Sequence, residues 1–426
     1  MENNGKTALL IEGPRRVGKS TVAQEFAKNE YTSYILIDFN KVSKDIKDLF
    51  ENIQDLDYLF LYLQTIFHVS LIPRESVIIF DEIQNCPLAR QAIKYLVEDG
   101  RYDYIETGSL ISIKQHTKNI TIPSEEDRIS MHPMDFEEFE WAIGNDNLIE
   151  MLKQFWDKKK SLGSLHRNIM KEFRLYMLIG GMPQAIEEYI RTNDFRKVDS
   201  VKRRIIRLYE DDFLKIDPTG RTSRLFMSIP AQLNRNAVRY YTHAVIGKQP
   251  ENVLIELTHE LIDSKTINIS FHCDDPSSGM NMTRNENYFK LFLADTGLFV
   301  TMAFWDKSYA DNIIYQKLLL DKLPANLGYV FENIVAQMLV AKGNELFYYT
   351  WKRDERHYYE IDFIIANGSK ISPIEVKSSN YLSHASLDVF NKKFSSRIVH
   401  SYLVVPKEYH HDKEIVIIPP YFIPFL

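Results

Sequence analysis

The sequence predicts an α/β chain in three parts. A parallel sheet with helices on both faces comes first, a helical region with a winged-helix pattern follows, and a second α/β domain ends the chain. Three observations carry this. Gly13-Pro14-Arg15-Arg16-Val17-Gly18-Lys19-Ser20 fits G-x-x-x-x-G-K-[ST], a phosphate-cradling loop. Apolar strands alternate with helical stretches from residue 7 to 109, the pattern of a parallel sheet. A second run of strands, 346–351, 358–365, 370–377 and 398–405, follows an amphipathic helix over 328–342.

Each element has its reason. Thr7–Glu12 reads as a buried strand, and the helix over 21–27 starts just after the loop. That order places a helix N-terminus, with its partial positive charge, at the phosphates. Strands at 34–39, 76–82 and 102–109 alternate with helices through Ile66 and over 88–98. From Asp135 the chain turns helical and charged, with a break at Gly180-Gly181-Met182-Pro183. Short helices over 221–263 and a strand pair, 266–271 and 288–293, make the winged-helix pattern. Asn367-Gly368 reads as a two-residue hairpin turn. The predicted division is 1–140, 141–285 and 286–426.

Bulk properties limit the reading. The chain has 426 residues, 45% apolar, enough for several cores. Its net charge is −6, so a nucleic-acid contact would need local basic patches. Lys202, Arg203, Arg204 and Arg207 on one helix are such a candidate, against a solvated face paired to Glu210, Asp211 and Asp212. Two cysteines, Cys86 and Cys273, make neither a disulfide framework nor a zinc pattern. No apolar run approaches the roughly 18 residues of a membrane span, and the first strand leaves no room for a signal peptide. A cytoplasmic chain with no membrane partner is expected.

The chemistry follows from residue types and spacing. Backbone N–H groups of Gly13–Ser20, with Thr21 next, would surround phosphate oxygens; Lys19 would reach the β- and γ-phosphates and Ser20 would hold Mg²⁺. Val77–Phe80 closes on Asp81 and Glu82 at the sheet rim. Asp81 would support the metal shell and Glu82 would deprotonate the attacking water. Thr107-Gly108-Ser109 is either a γ-phosphate sensor or an ordinary turn. Arg128, in an acidic loop Ser124–Arg128, either reaches a phosphate, in its own subunit or a neighbour's, or pairs with its neighbours.

Taken together the first half resembles the AAA-type ATPases of the branch related to the STAND NTPases, with a P-loop NTPase fold. The matching residues are Gly13–Ser20, Ile79–Gln84, Thr107–Ser109, His132–Phe139 and Gly180–Pro183. The family has glycine before its arginine, where this chain has Asp127. The resemblance implies ATP rather than GTP, and a C-terminal domain of unknown function.

A second constellation lies near the C-terminus: Glu360-Ile361-Asp362, then Ile374-Glu375-Val376-Lys377. If Asn367-Gly368 is the turn, 362 faces 373 and 360 faces 375, and Asp362, Glu375 and Lys377 share a face. With Glu332 on the preceding helix, they could hold Mg²⁺ and polarise a water beside a phosphodiester. This D…ExK spacing resembles the restriction-endonuclease-like fold. The expected function is an Mg²⁺-dependent ATPase used as a switch, its output DNA, a protein partner or a homo-oligomer. The alternatives are an ATP-controlled DNA nuclease and a non-catalytic nucleotide-binding scaffold.

Overall fold

The computed structural model describes residues 5–51, 53, 55–108, 123–235, 237–277, 279–306, 313–320, 328–378 and 384–426. Two compact units form: 1–132 with 263–265, and 133–262 with 266–426.

The first unit is a five-stranded sheet in the order β2-β3-β4-β1-β5, parallel throughout. The strands are β1 (Ala8–Glu12), β2 (Ser33–Asp38), β3 (Ser76–Asp81), β4 (Asp103–Gly108) and β5 (Glu126–Ser130). Every residue of β3 is buried, as expected of a strand covered on both faces. Alternate residues go to opposite sides. Ala8, Leu10, Ile35, Ile37, Ile78 and Phe80 join a core with α2 (Lys44–Asp48), α3 (Leu56–Phe67) and α4 (Pro87–Asp99). Ile11, Val77, Ile79 and Ile105 meet Ala23 and Ala27 of α1 (Lys19–Glu30) on the other side. This packing brings the C-terminal ends of β1, β3 and β4 together beside the start of α1. Ser109 lies outside the described residues.

The second unit joins the helical region to an eight-stranded sheet in the order β12-β13-β11-β10-β9-β8-β6-β7. Asp135 caps the helix Phe136–Ala142 in a reciprocal box with Glu138. The helices Arg221–Asn234, Thr242–Ile246 and Glu251–Asp263 precede β6 (Ile267–Cys273) and β7 (Arg284–Leu293). β6 and β7 are antiparallel, as the wing pattern expects. They do not form a free wing, because β6 also pairs in parallel with β8 (Leu346–Lys352). β6 therefore lies inside the sheet, between β7 and β8, with Ile267 and Asn268 buried in succession on its two faces.

β9 (Tyr358–Asn367) and β10 (Lys370–Val376) form the expected hairpin, one residue further along. Lys370 pairs with Asn367 and Ile374 with Phe363, so the turn is Gly368-Ser369 and not Asn367-Gly368. Gly368 has φ 61°, which suits glycine at the first turn position. β11 (Ser401–Val404) lies parallel beside β10, and β13 (Ile415–Ile418) parallel beside β11. β12 (His410–Asp412) closes the edge. The helix Ala385–Phe394 packs Leu387, Phe390 and Phe394 onto Phe347, Tyr349, Ile361 and Ile364.

Candidate functional site

The loop after β1 has the shape its glycines predict. A Cβ on Gly13 would stand 2.4 Å from the Met131 carbonyl oxygen, so only glycine fits there without a backbone shift. Gly18 has φ 105° and caps the start of α1. Pro14 and Val17 are buried, Arg15 and Gly18 partly so, and Arg16 and Thr21 are exposed. The Lys19 ammonium donates to the carbonyls of Gly13 at 3.0 Å and Pro14 at 2.9 Å. Burial lowers Lys19 to about 8, against the pull of Glu82 and Asp81, while Arg15 adds to the lowering.

Asp81, at the end of β3, is the centre of the site. Its Oδ1 accepts from the Ser20 hydroxyl at 2.6 Å and from the Thr107 hydroxyl at 2.5 Å. One carboxylate oxygen thus joins the loop, β3 and β4. Thr107 Oγ1 also accepts from the Glu82 backbone N–H at 3.3 Å. Glu82 sits in the left-handed region, φ 56°, uncommon for a residue with a side chain. Its carboxylate accepts a hydrogen bond from the Gln84 amide. Gln84 belongs to the stretch Ile79–Gln84 that carries the resemblance, but the sequence reading gave it no role.

Arg128 is not in a loop. It belongs to β5, opposite Leu10 of β1, and its guanidinium is 3.3 Å from Glu126 and 3.6 Å from Glu12. Of the two sequence readings, acidic pairing is the one present. Glu126 in turn holds Arg90 of α4 through two 2.8 Å bonds, both side chains almost wholly buried. Glu106 on β4 is fully buried beside them, its carboxyl pushed well above the usual range by burial and by Glu126. Glu106, an acid next to Ile105 inside the buried strand β4, was the one available signal.

For ATP with Mg²⁺ the residues fit. A hydroxyl and a carboxylate already share one point, and a lysine is held on the loop carbonyls.

In the second unit, the constellation gathers at β9, β10 and the helix Gly328–Ala341. The observed register, continued one step, sets Asp362 across from Glu375. Asp362 Oδ2 accepts from the Val376 N–H at 2.7 Å, in place of a ladder bond. Lys377 pairs with Glu375 at 2.9 Å. Burial pushes the Asp362 carboxyl well up, helped by Glu332, Glu360 and Glu375. Glu332 is raised by burial too, against Lys290. One member was missed: Lys290 of β7, which forms an ion pair with Glu360. A lysine inside Tyr-Phe-Lys-Leu-Phe was the available signal. Among the described residues no three His, Cys, Asp or Glu side chains converge to hold a metal ion. The donor set therefore does not fit a divalent cation in this arrangement.

The basic helix is not a phosphate-binding face at Lys202. That ammonium is fully buried and donates to the carbonyls of Leu178 at 2.8 Å and Gly297 at 3.1 Å. Arg203 is spent on Asp199 at 2.7 Å and on the Trp305 carbonyl at 2.7 Å. No helix of the described residues is long and apolar enough to cross a membrane.

Comparison with known proteins places family likeness on each part. Residues 5–140 match the family described as AAA domain. Residues 170–309 and 327–422 match two families described as domains of unknown function, DUF8612 and DUF4143. No curated protein matches the chain. Among solved structures, the signal transduction ATPase with numerous domains (STAND) and a tetratricopeptide repeat sensor from Pyrococcus horikoshii is 11% identical, TM-score 0.26, over 80% of this chain and 48% of that one. Cdc6p from Pyrobaculum aerophilum is 11% identical, TM-score 0.20, over 75% and 88%. PCH-2 of C. elegans is 12% identical, TM-score 0.20, over 36% and 40%. At such TM-scores these likenesses carry no argument. The chain spans less than half the length of the STAND protein and of PCH-2.

Proposed function

We propose that this chain is a cytoplasmic ATP-binding protein, an Mg²⁺-dependent ATPase that works as a nucleotide switch, with DNA or a protein partner, a second copy included, as the output. The observation that carries it is the single Asp81 oxygen shared by Ser20 and Thr107 beside a lysine-bearing loop. The AAA family match over residues 5–140 supports the same reading.

The residues divide the work. The backbone of Gly13 to Thr21 would bind the phosphates. Lys19 would exchange the carbonyls of Gly13 and Pro14 for the β- and γ-phosphate oxygens. Ser20 and Asp81 would hold the cation, which supplies charge neutralisation when bound. Glu82 would accept the proton of the attacking water once its bond from Gln84 is released. Thr107 would hold Glu82 by its backbone N–H and so set the direction of that carboxylate. Arg128, tied to Glu12 and Glu126, would stabilise β5 rather than reach the phosphates of its own subunit. In the second unit the reading takes residues 286–426 as restriction-endonuclease-like, supported by Asp362, Glu375 and Lys377 near Glu332.

The test is phosphate release from Mg²⁺-ATP together with binding of a fluorescent ATP analogue. Glu82→Gln should abolish turnover and keep binding, and Lys19→Ala should lose binding. Turnover equal in wild type and Glu82→Gln would remove the catalytic assignment.

A further inference from the structure

Lys290 is placed unusually for a lysine. It lies on β7, the edge strand, yet is only 7% exposed. Its partner Glu360 lies on β9, with β6 and β8 between them in the sheet. Neighbouring strands lie about 4.8 Å apart, so two intervening strands leave a span that only two long side chains, both extended, can bridge. The residues in between permit it. Ser270, opposite Lys290 in the register, is small, and the Tyr348 ring lies 5.4 Å from the ammonium.

The ammonium ends on Glu360, close enough to Glu332 and Asp362 for their charges to act on it. Burial pulls Lys290 down, but Glu360, Glu332 and Asp362 outweigh it and hold it above the ordinary lysine range. Lys377, paired to Glu375, compensates the other end of the same group. Four carboxylates and two ammonium groups thus neutralise one another in part within the fold. A divalent cation drawn to Asp362 and Glu332 would meet a fixed positive charge already there.

We infer that Lys290 is the resident cation of this carboxylate cluster, standing where a divalent metal ion would otherwise be held, so that the cluster takes up a metal ion only when Lys290 is removed. The inference does not depend on the ATP site. It concerns a different unit and a different ligand.

The experiment is Mn²⁺ titration of the full chain, without nucleotide, followed by electron paramagnetic resonance. Wild type and Asp362→Asn are compared first. Equal stoichiometry and affinity are expected, because any Mn²⁺ held at Ser20 and Asp81 is common to both. A Mn²⁺ ion bound by wild type and lost in Asp362→Asn overturns the inference. Lys290→Met keeps length and removes charge. It is expected to gain one Mn²⁺ ion, at least tenfold tighter than any wild-type binding at this cluster, and Lys290→Met with Asp362→Asn is expected to lose it again. A folded Lys290→Met that binds as wild type does also overturns the inference. If circular dichroism shows that Lys290→Met does not fold, the first comparison decides alone: equal binding supports the inference and unequal binding refutes it.

Discussion

Replacing Thr107 by valine keeps the shape of the side chain and removes one hydroxyl. Thr107 is 1% exposed, so water does not replace what is lost. Two bonds go: the 2.5 Å donation to Asp81 and the 3.3 Å acceptance from the Glu82 N–H. A hydrogen bond to a charged acceptor contributes about 1.5–3 kcal/mol, and the longer neutral one about 1 kcal/mol or less. The first unit should therefore lose about 2–4 kcal/mol. Asp81 keeps Ser20 at 2.6 Å, so the pair proposed to hold the cation survives. Glu82 loses the contact that fixes its left-handed backbone. Its carboxylate should then be misdirected, and kcat should fall about tenfold to a hundredfold, equivalent to about 1.4–2.7 kcal/mol of barrier. KM for ATP should change little, since Lys19 and the loop are untouched. All four tryptophans lie in the second unit, so intrinsic fluorescence does not report this loss. Hydrogen exchange at β3 and β4 amides does, alongside steady-state phosphate release. A valine variant with lost protection but unchanged kcat would make Thr107 a structural residue and refute the argument. A raised KM with intact kcat would do the same.

Two further outcomes follow from the fold. Gly13→Ala forces a Cβ against the Met131 carbonyl at 2.4 Å; overpacking of this kind costs about 1–3 kcal/mol. ATP-analogue affinity should fall with it, and a variant as stable as wild type in urea, with equal affinity, contradicts the close approach. Glu140 is fully buried, and burial raises its carboxyl from 4.5 to about 7, with Glu172 adding and the Asn145 bond opposing. The folded state then binds more protons than the unfolded one between pH 4.5 and about 7. Its stabilising share is complete below pH 4.5 and is lost as pH rises to about 7, on the order of 3 kcal/mol at about 1.4 per pKa unit. Urea unfolding across this window should slope downward in wild type and less steeply in Glu140→Gln; parallel curves contradict the assignment.

Much of the first unit was legible because its signals are local. Gly13 to Ser20 is contiguous, and the apolar run into Asp81 and Glu82 places both acids at a strand end without tertiary information. The hairpin of β9 and β10 was legible in kind. Its turn was misplaced by one residue, because Asn-Gly and Gly-Ser both suit a two-residue turn, and the choice falls to packing on both faces of the sheet. The shared face of Asp362 and Glu375 survived, since moving both strands by one residue preserves side-chain direction.

Composition and local pattern by themselves determined the α/β class of the first unit, the glycine-lysine loop after β1, and the two acids at the end of β3. Each depends on residues close in sequence, where backbone preference and periodicity act directly. The tertiary structure alone decided which distant groups meet. It put Thr107 and Ser20 on one oxygen of Asp81, turned Arg128 toward Glu12 and Glu126, enclosed Lys202, and drew Lys290 across two strands to Glu360. Such pairings depend on strand order and burial, and a buried charge takes whatever partner the sheet brings within reach.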